Sequence, residues 1–385
     1  MNDQKVILRD VKDVSEIYNA ILNTFYAPNK DLLIFIADYL KNYFQEQFKK
    51  AENHNKVFIA YSGENPIGFI TAQVNPNYKS RNKTCGTFGY LNAKTRKACV
   101  KLIKSTEEFF SSISVRKVRG NVNFPKGLGG TGILFEDKRK NNPLFGVPLN
   151  DLEFPYIPIL EDLGYKQDTL YHSVHVYNKI WENAKKVKGA ICFGYLSPQE
   201  ILERHTEILN IAKNVFGPIL PDTSGGIERI KELLDIYSKV PHSFYAIKDE
   251  FDPKKFTDIP EILDALERFN PKKHSIWAGF AFDKRTKEIV GVALSIPNLY
   301  QMCMGQPITE VNADTMIVKE GYEGRGIFSG MNAMGQLNFK RYGVDYVEGT
   351  TIWDKSDRVF KKIVPYTNIV RKYIVFQKRL KKKRI

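Results

Sequence analysis

Val318 to Gly330 reads V-K-E-G-Y-E-G-R-G-I-F-S-G, and this stretch decides the fold. Ahead of it, Val311 to Val318 (V-N-A-D-T-M-I-V) ends in apolar, β-favouring residues. Glycines follow at 321, 324, 326 and 330, and the next segment, F-S-G-M-N-A-M-G-Q-L-N-F-K-R-Y, suits a helix. A strand, a tight glycine turn and a helix start make an anion site by physics alone. Unpaired backbone N–H groups converge there, the helix dipole adds partial positive charge, and glycines admit a phosphate close to the backbone. Arg325 adds a formal charge at the same place. Taken alone, the pattern equally fits an ordinary strand-to-helix turn tightened by glycines.

Working outward, the chain reads as two blocks with a related order of elements. In the first, a strand over Lys5–Val11 precedes helices over Val14–Phe25 and Leu32–Phe48. In the second helix, Leu32, Leu33, Ile36, Leu40, Tyr43 and Phe44 follow a 3.6 period. A hairpin (Lys56–Tyr61, Ile67–Val74), a strand (Thr87–Leu91), a long helix (Lys94–Ile113) and a strand (Val115–Asn121) follow. A short helix before Gly164 and a strand His172–Tyr177 close the block.

The second block opens at Ser197-Pro-Gln-Glu200, which offers an N-cap, a Pro at the first position and a Glu at the third, for a helix to Phe216. Gly226–Val240 reads as a helix, Ser243–Asp249 as a strand, and Phe251–Asn270 as a charged insertion with a helix from about Pro260. The hairpin recurs at Ser275–Phe282 and Ile289–Ile296. The glycine turn, its helix, a strand Asp345–Trp353, a helix Asp354–Ile363 and a strand Ile369–Gln377 complete the order. The architecture is mixed α/β. The charged connector W-E-N-A-K-K-V-K-G-A, between Ile180 and Gly194, marks the boundary, giving lobes 1–185 and 186–385.

The glycine stretch resembles the acetyl-CoA motif of the GNAT superfamily, V-x-P-x-Y-[QR]-x-x-G-x-[GA], with Val318, Tyr322, Gly324, Arg325, Gly326 and Ile327 in register. It departs at Glu320, at Glu323, which adds negative charge, and at Phe328, which adds bulk. The strand G-V-D-Y-V-E-G-T-T-I-W and the helix after it resemble the superfamily's fifth strand and fourth helix, with Ser356 in the place of the usual Asn and Ile363 in that of the usual Tyr. In the first block V-R-G-N-V-N-F (118–124), G-I-L-F-E (132–136) and F-P-Y-I-P-I-L-E-D-L-G-Y (154–165), and in the second I-P-N-L-Y-Q (296–301), are similar to motifs of bacterial two-lobed GNAT proteins. The resemblance implies a tandem GNAT-like acyl-CoA N-acyltransferase fold, with a phosphate turn in the second lobe and none in the first.

It also implies an acyl-CoA-dependent N-acyltransferase, most simply an N-acetyltransferase, acting on an amine of a small molecule or protein. Acetyl-CoA or another acyl-CoA is then a substrate and no metal is required. The positions implied to contact it are Ile317, Val318, Glu323, Gly324, Arg325, Gly326, Ile327, Phe328, Ser329 and Ser356. A general base in the family often lies six residues ahead of the motif's Val. That position is Asn312 here, so Asp314 on the same face and Glu348 on the next strand are the base candidates. Tyr366, near the usual Tyr position, is the acid candidate. Two alternatives stand beside this reading: a tandem-GNAT transferase using aminoacyl-tRNA, and a non-catalytic GNAT-fold binding protein.

Composition sets the remaining bounds. At 385 residues, with 43% hydrophobic and 26% charged, the chain suits two globular domains. Its 58 basic and 43 acidic residues give a net charge of +15, which favours phosphate-bearing partners such as coenzyme A or nucleic acid, the second not favoured by the motifs. The basic run Arg371–Ile385 is expected to be a final strand and a solvated tail. Cys85, Cys99, Cys192 and Cys303 lie far apart, without zinc or disulfide spacing, as in a reduced cytoplasmic protein. No signal peptide or transmembrane run stands out. Gly127-Leu-Gly-Gly-Thr-Gly132 matches G-x-G-x-x-G by letter, but no phosphate-binding helix follows, so a loop is expected and a dinucleotide site is not.

Overall fold

The computed structural model describes residues 5–381 except 51–53, 141, 178, 249 and 357–366. The chain divides into two compact units, Met1–His172 with Val370–Ile385, and Ser173–Ile369. The sequence placed the boundary in the charged connector at 185/186.

In the first unit β1 (Val6–Asp10) leads to α1 (Val14–Thr24), α2 (Lys30–Gln47) and the hairpin β2 (His54–Ser62) and β3 (Asn65–Val74). Then come β4 (Tyr78–Ser80), β5 (Gly86–Ala93), α3 (Arg96–Ser112), β6 (Lys117–Gly120), α4 (Lys126–Gly129), β7 (Ile133–Asp137), α5 (Tyr156–Asp162) and β8 (Lys166–Val176). Side-chain caps start three of the helices: Asp13, Asn29 and Thr95 accept from the N–H groups of Glu16, Leu32 and Ala98. Helix α2 turns Leu32, Ile36, Leu40 and Phe44 into the core at the expected period.

The chain's last strand, Thr367–Arg379, lies between β6 and β8 in a sheet of order β1-β2-β3-β5-β6-last-β8, with β7 also paired to it. Its Ile374 and Phe376 join Phe88, Leu102, Phe110 and Val118 in one core. Beneath this sheet a fully buried Arg119 is ion-paired with Asp168 and also donates to Tyr78 Oη and Thr169 Oγ, each at 3.2 Å.

The G-x-G-x-x-G look-alike forms the buried single-turn helix α4 and the approach to β7. Its N–H groups are taken by the protein, Gly130 donating to Lys126 O and Gly132 to Asn121 O, so no anion cradle forms. Gly129 stands where a Cβ would come within 2.5 Å of Asn123 and Tyr90. These glycines serve close packing.

The second unit runs β9 (Ile191–Gly194), α6 (Pro198–Glu203), α7 (His205–Ile219), β10 (Asp222–Ser224), α8 (Ile227–Ser238), α9 (Pro260–Glu267) and the hairpin β11 (Ala278–Asp283) and β12 (Ile289–Pro297). After α10 (Leu299–Cys303) come β13 (Glu310–Val318), α11 (Ile327–Arg341) and β14 (Tyr346–Trp353), and the last strand is β15. The strand order is β14-β13-β12-β11-β9. The capping box at Ser197 and Glu200 forms, but the helix breaks at Arg204 into α6 and α7.

The strand expected over Ser243–Asp249 is replaced by a 3-10 turn, His242–Phe244. After Pro241 the N–H of Phe244 turns back to Pro241 O and that of Tyr245 to His242 O, so these two amides do not join a ladder. Small residues bring α11 onto the sheet: a Cβ at Gly330 would meet the Phe193 ring at 2.3 Å, and one at Gly291 would meet Met331 at 2.8 Å.

The Arg119–Asp168 pair yields a prediction. Burial works against the Asp168 carboxylate, but the Arg119 guanidinium outweighs it and holds the group below its ordinary value. Its contribution to stability is therefore complete above the unfolded carboxyl value of about 3.9 and is lost as pH falls through the lower folded value. Asp168→Asn should cost about 3–5 kcal/mol at neutral pH, because the arginine loses its countercharge in the core. Urea titrations at pH 7 and in acid should show that difference shrinking below pH 4.

Candidate functional site

Strands β12, β13 and β14 set the geometry. β13 pairs antiparallel with β12, and the register slips once, with Ala313 opposite Ser295 but Thr315 opposite Leu294. Asp314 is thus the extra residue of a β-bulge. On its other edge β13 pairs in parallel with β14 from Glu310↔Tyr346 to Ala313↔Gly349, and the pairing stops there. Both strands continue, to Val318 and Trp353. Beyond the bulge the two strands part, and the peptide groups on that edge of β13 lose their ladder partners.

The glycine turn follows directly. Gly321, Gly324 and Gly326 have φ of 84°, 72° and 81°, the left-handed region that a residue with Cβ enters at a cost. Gly326 is the N-cap of α11, and its carbonyl accepts from Gly330 N–H. Among the described residues, the N–H groups of 323–329 have no protein acceptor, leaving a bank of donors at the positive end of a fifteen-residue helix. Space beside Gly321 and Gly324 is open.

Arg325 lies over the Tyr322 ring at 4.5 Å and donates to Gly321 O, while Tyr322 Oη donates to Asp283. Glu323 accepts from Gly321 N–H at 2.8 Å, so its carboxylate is turned back toward the start of the turn.

The connector before β9 docks on this turn, which the sequence did not signal. Lys188 N–H donates to Arg325 O at 2.9 Å and Lys185 N–H to Ser329 Oγ at 3.2 Å. A Cβ at Gly326 would stand 2.9 Å from Lys186 O. This glycine is needed for the chain's own packing, not only for the approach of a ligand.

Of the other implied contact positions, Ile317 and Ile327 are buried, and Val318, Phe328 and Ser329 are half-buried around the turn. Ser356 ends the 3-10 turn that follows β14. Tyr366 and Ile363 lie outside the described residues.

The two candidate bases sit differently. Asp314 accepts from Arg229 Nη2 of α8 at 3.0 Å and from Thr315 Oγ. Burial opposes the Arg229 charge, but Asp314 and Glu232 outweigh it and keep the guanidinium protonated. Glu348 is fully buried and accepts from Ser173 Oγ at 2.5 Å and Tyr346 Oη at 2.8 Å. Asn312, opposite Glu348 in the register, accepts from Thr350 Oγ at 2.7 Å. Tyr346, Glu348 and Thr350 alternate along β14 and share one face, so a polar line runs along the sheet toward the parting. Arg229 and Ser173 carried no sequence signal, because Asp314 and Glu348 are distant from them in the chain.

The first unit shows how the same topology can be closed. β5 and β6 pair in parallel only from Gly86↔Val118 to Phe88↔Gly120. Past that point Tyr90 N–H donates to Asn123 Oδ1 at 2.6 Å, and Val122 N–H to Phe88 O at 2.8 Å. A Cβ at Gly89 would lie 2.3 Å from Val122 O. The segment after β6 therefore fills the gap. Helix α3 starts from a Thr95 cap, not from a glycine turn.

No protein-family model matches the chain, and no curated protein matches it. Solved structures do. One is the GCN5-related glucosamine N-acetyltransferase region of a fungal multi-domain GH3 β-N-acetylglucosaminidase, with TM-score 0.55 and 12% identity over 98% of this chain; the match spans 38% of that chain. Another is a tandem GNAT protein from the clavulanic acid biosynthesis pathway, with TM-score 0.55 and 8% identity over 97% of this chain and 98% of that one. A third is a GCN5-related N-acetyltransferase from Sphaerobacter thermophilus, with TM-score 0.51 and 12% identity over 98% and 96%. The fold is that of the tandem GNAT proteins.

The turn itself can be tested for stability. Gly326→Ala forces a Cβ into a left-handed position and against the Lys186 carbonyl, and should cost about 1–3 kcal/mol in a urea titration. Gly335→Ala, in the same helix with open space beside it, should not be destabilising.

Proposed function

We propose that this protein is an acyl-CoA-dependent N-acyltransferase whose second unit holds the acyl donor. The observation that carries the reading is the parting of β13 and β14 beyond Ala313↔Gly349, leading straight into a left-handed glycine turn with free N–H donors at the start of α11. The turn and Arg325 take the pyrophosphate of the donor. The thioester lies along the freed edge of β13, where unpaired N–H groups polarise its carbonyl.

An amine then attacks the carbonyl carbon, its lone pair forming the C–N bond as the negative charge moves to oxygen. Collapse of that intermediate breaks the C–S bond, coenzyme A leaves as thiolate and takes a proton, and the amide nitrogen gives up one. Holding both reactants in line supplies most of the acceleration.

Asp314 is spent on its ion pair with Arg229. Glu348, held by hydroxyl groups, is assigned to receive the amine proton through water. Among the described residues of the first unit the matching gap is filled, so the donor is assigned to the second unit alone.

Calorimetric titration of the purified chain with acetyl-CoA tests this. One molecule should bind per chain, and a hundredfold excess over Kd should stabilise the fold by about 2.7 kcal/mol. Gly324→Glu, which adds bulk at φ 72° and a negative charge, should remove binding. No saturable binding of acetyl-CoA or of longer acyl-CoAs at millimolar concentration would end the proposal.

A further inference from the structure

The bulge at Asp314 sits where β13 leaves β14, and an arginine from helix α8 reaches it. Arg229, in the first turn of α8, donates through Nη2 to Asp314 Oδ1 at 3.0 Å and through Nη1 to Glu232 Oε2 at 2.8 Å. The three side chains are only 12%, 14% and 18% exposed, so the contacts are shielded from water. We infer that Arg229 is a positioning residue: its ion pair with Asp314 fixes the bulge, and the bulge keeps the cleft between β13 and β14 open for the pantetheine arm of the donor. The inference rests on the acyl-CoA reading above.

The physical case has three parts. A bulged residue has no cross-strand partner, so its backbone is held by what its side chain touches. Asp314 has a helix-borne cation on one oxygen and Thr315 Oγ on the other. Glu232, one turn along α8, holds the second guanidinium nitrogen and so fixes the direction in which Arg229 points.

The alternative state is also available. In a β13 without the bulge, the peptide groups past Ala313↔Gly349 could continue the parallel ladder with β14, which would close the cleft. Without Arg229, Asp314 and Glu232 would be left as two poorly hydrated carboxylates, and the strand would relax away from α8.

Two probes separate this role from a general loss of structure. Coenzyme A uses both the glycine turn and the cleft, whereas 3′-phosphoadenosine 5′-diphosphate carries the pyrophosphate and the 3′-phosphate without the arm. In Arg229→Gln, affinity for coenzyme A should fall roughly tenfold or more, about 1.4 kcal/mol per decade, with that nucleotide's affinity unchanged. Arg229→Lys, which keeps the charge, should recover part of the loss. Asp314→Asn leaves the Arg229–Glu232 contact in place and should reproduce the selective loss, so it carries the test if Arg229→Gln does not fold.

Coenzyme A binding as in the wild type by both Arg229→Gln and Asp314→Asn overturns the inference. So does an equal loss of both probes. If the wild type binds neither probe, the acyl-CoA reading itself has failed, which is a different result.

Discussion

Backbone peptide groups that leave a sheet ladder must find other partners, and the second unit is arranged around one such place. β13 and β14 share four register pairs and then separate at Ala313↔Gly349. A parallel pair would ordinarily continue, because an unpaired buried N–H or carbonyl is costly. Here the bulge at Asp314 changes the course of β13, Arg229 holds the bulge, and the strand runs into a turn whose glycines adopt left-handed conformations. The freed groups and the helix start then present donors along one continuous path. A thioester carrying a pyrophosphate has the matching chemistry.

The first unit starts from the same arrangement and resolves it internally. Its parallel pair β5 and β6 also stops early, yet Asn123 takes the Tyr90 N–H and the Val122 backbone packs onto Gly89. Its helix α3 is capped by Thr95, so the N-terminal donors are partly satisfied by the chain itself. One topology thus appears twice, once with its edge groups left out of the ladder and once with them used for packing. The difference lies in a few side chains and in the absence of a glycine turn from the first unit.

Much of this was legible in advance. The helical periods of α2, the cap at Ser197, the recurrent hairpin and the glycine spacing from 321 to 330 are local signals, set by sterics and hydrogen bonding within a few residues. The strand expected over Ser243–Asp249 misled, because after Pro241 the amides of Phe244 and Tyr245 close locally into a turn. The helix expected through Phe216 broke at Arg204. Each of these outcomes depended on which neighbours packed against the segment.

By itself, the sequence determined most of the order of elements and the glycine turn ahead of α11, since propensity, capping and glycine conformation act over short separations; the helix expected over Asp354–Ile363 lies mostly outside the described residues. Only the tertiary structure decided what each carboxylate is paired with. Asp314 meets Arg229 across 85 residues and Glu348 meets Ser173 across 175, and no spacing rule links residues so far apart. The same holds at Gly326, whose close neighbour is the carbonyl of Lys186 in the connector. Such partners are chosen by how the whole sheet and its helices pack, and that choice is made only when the chain has folded.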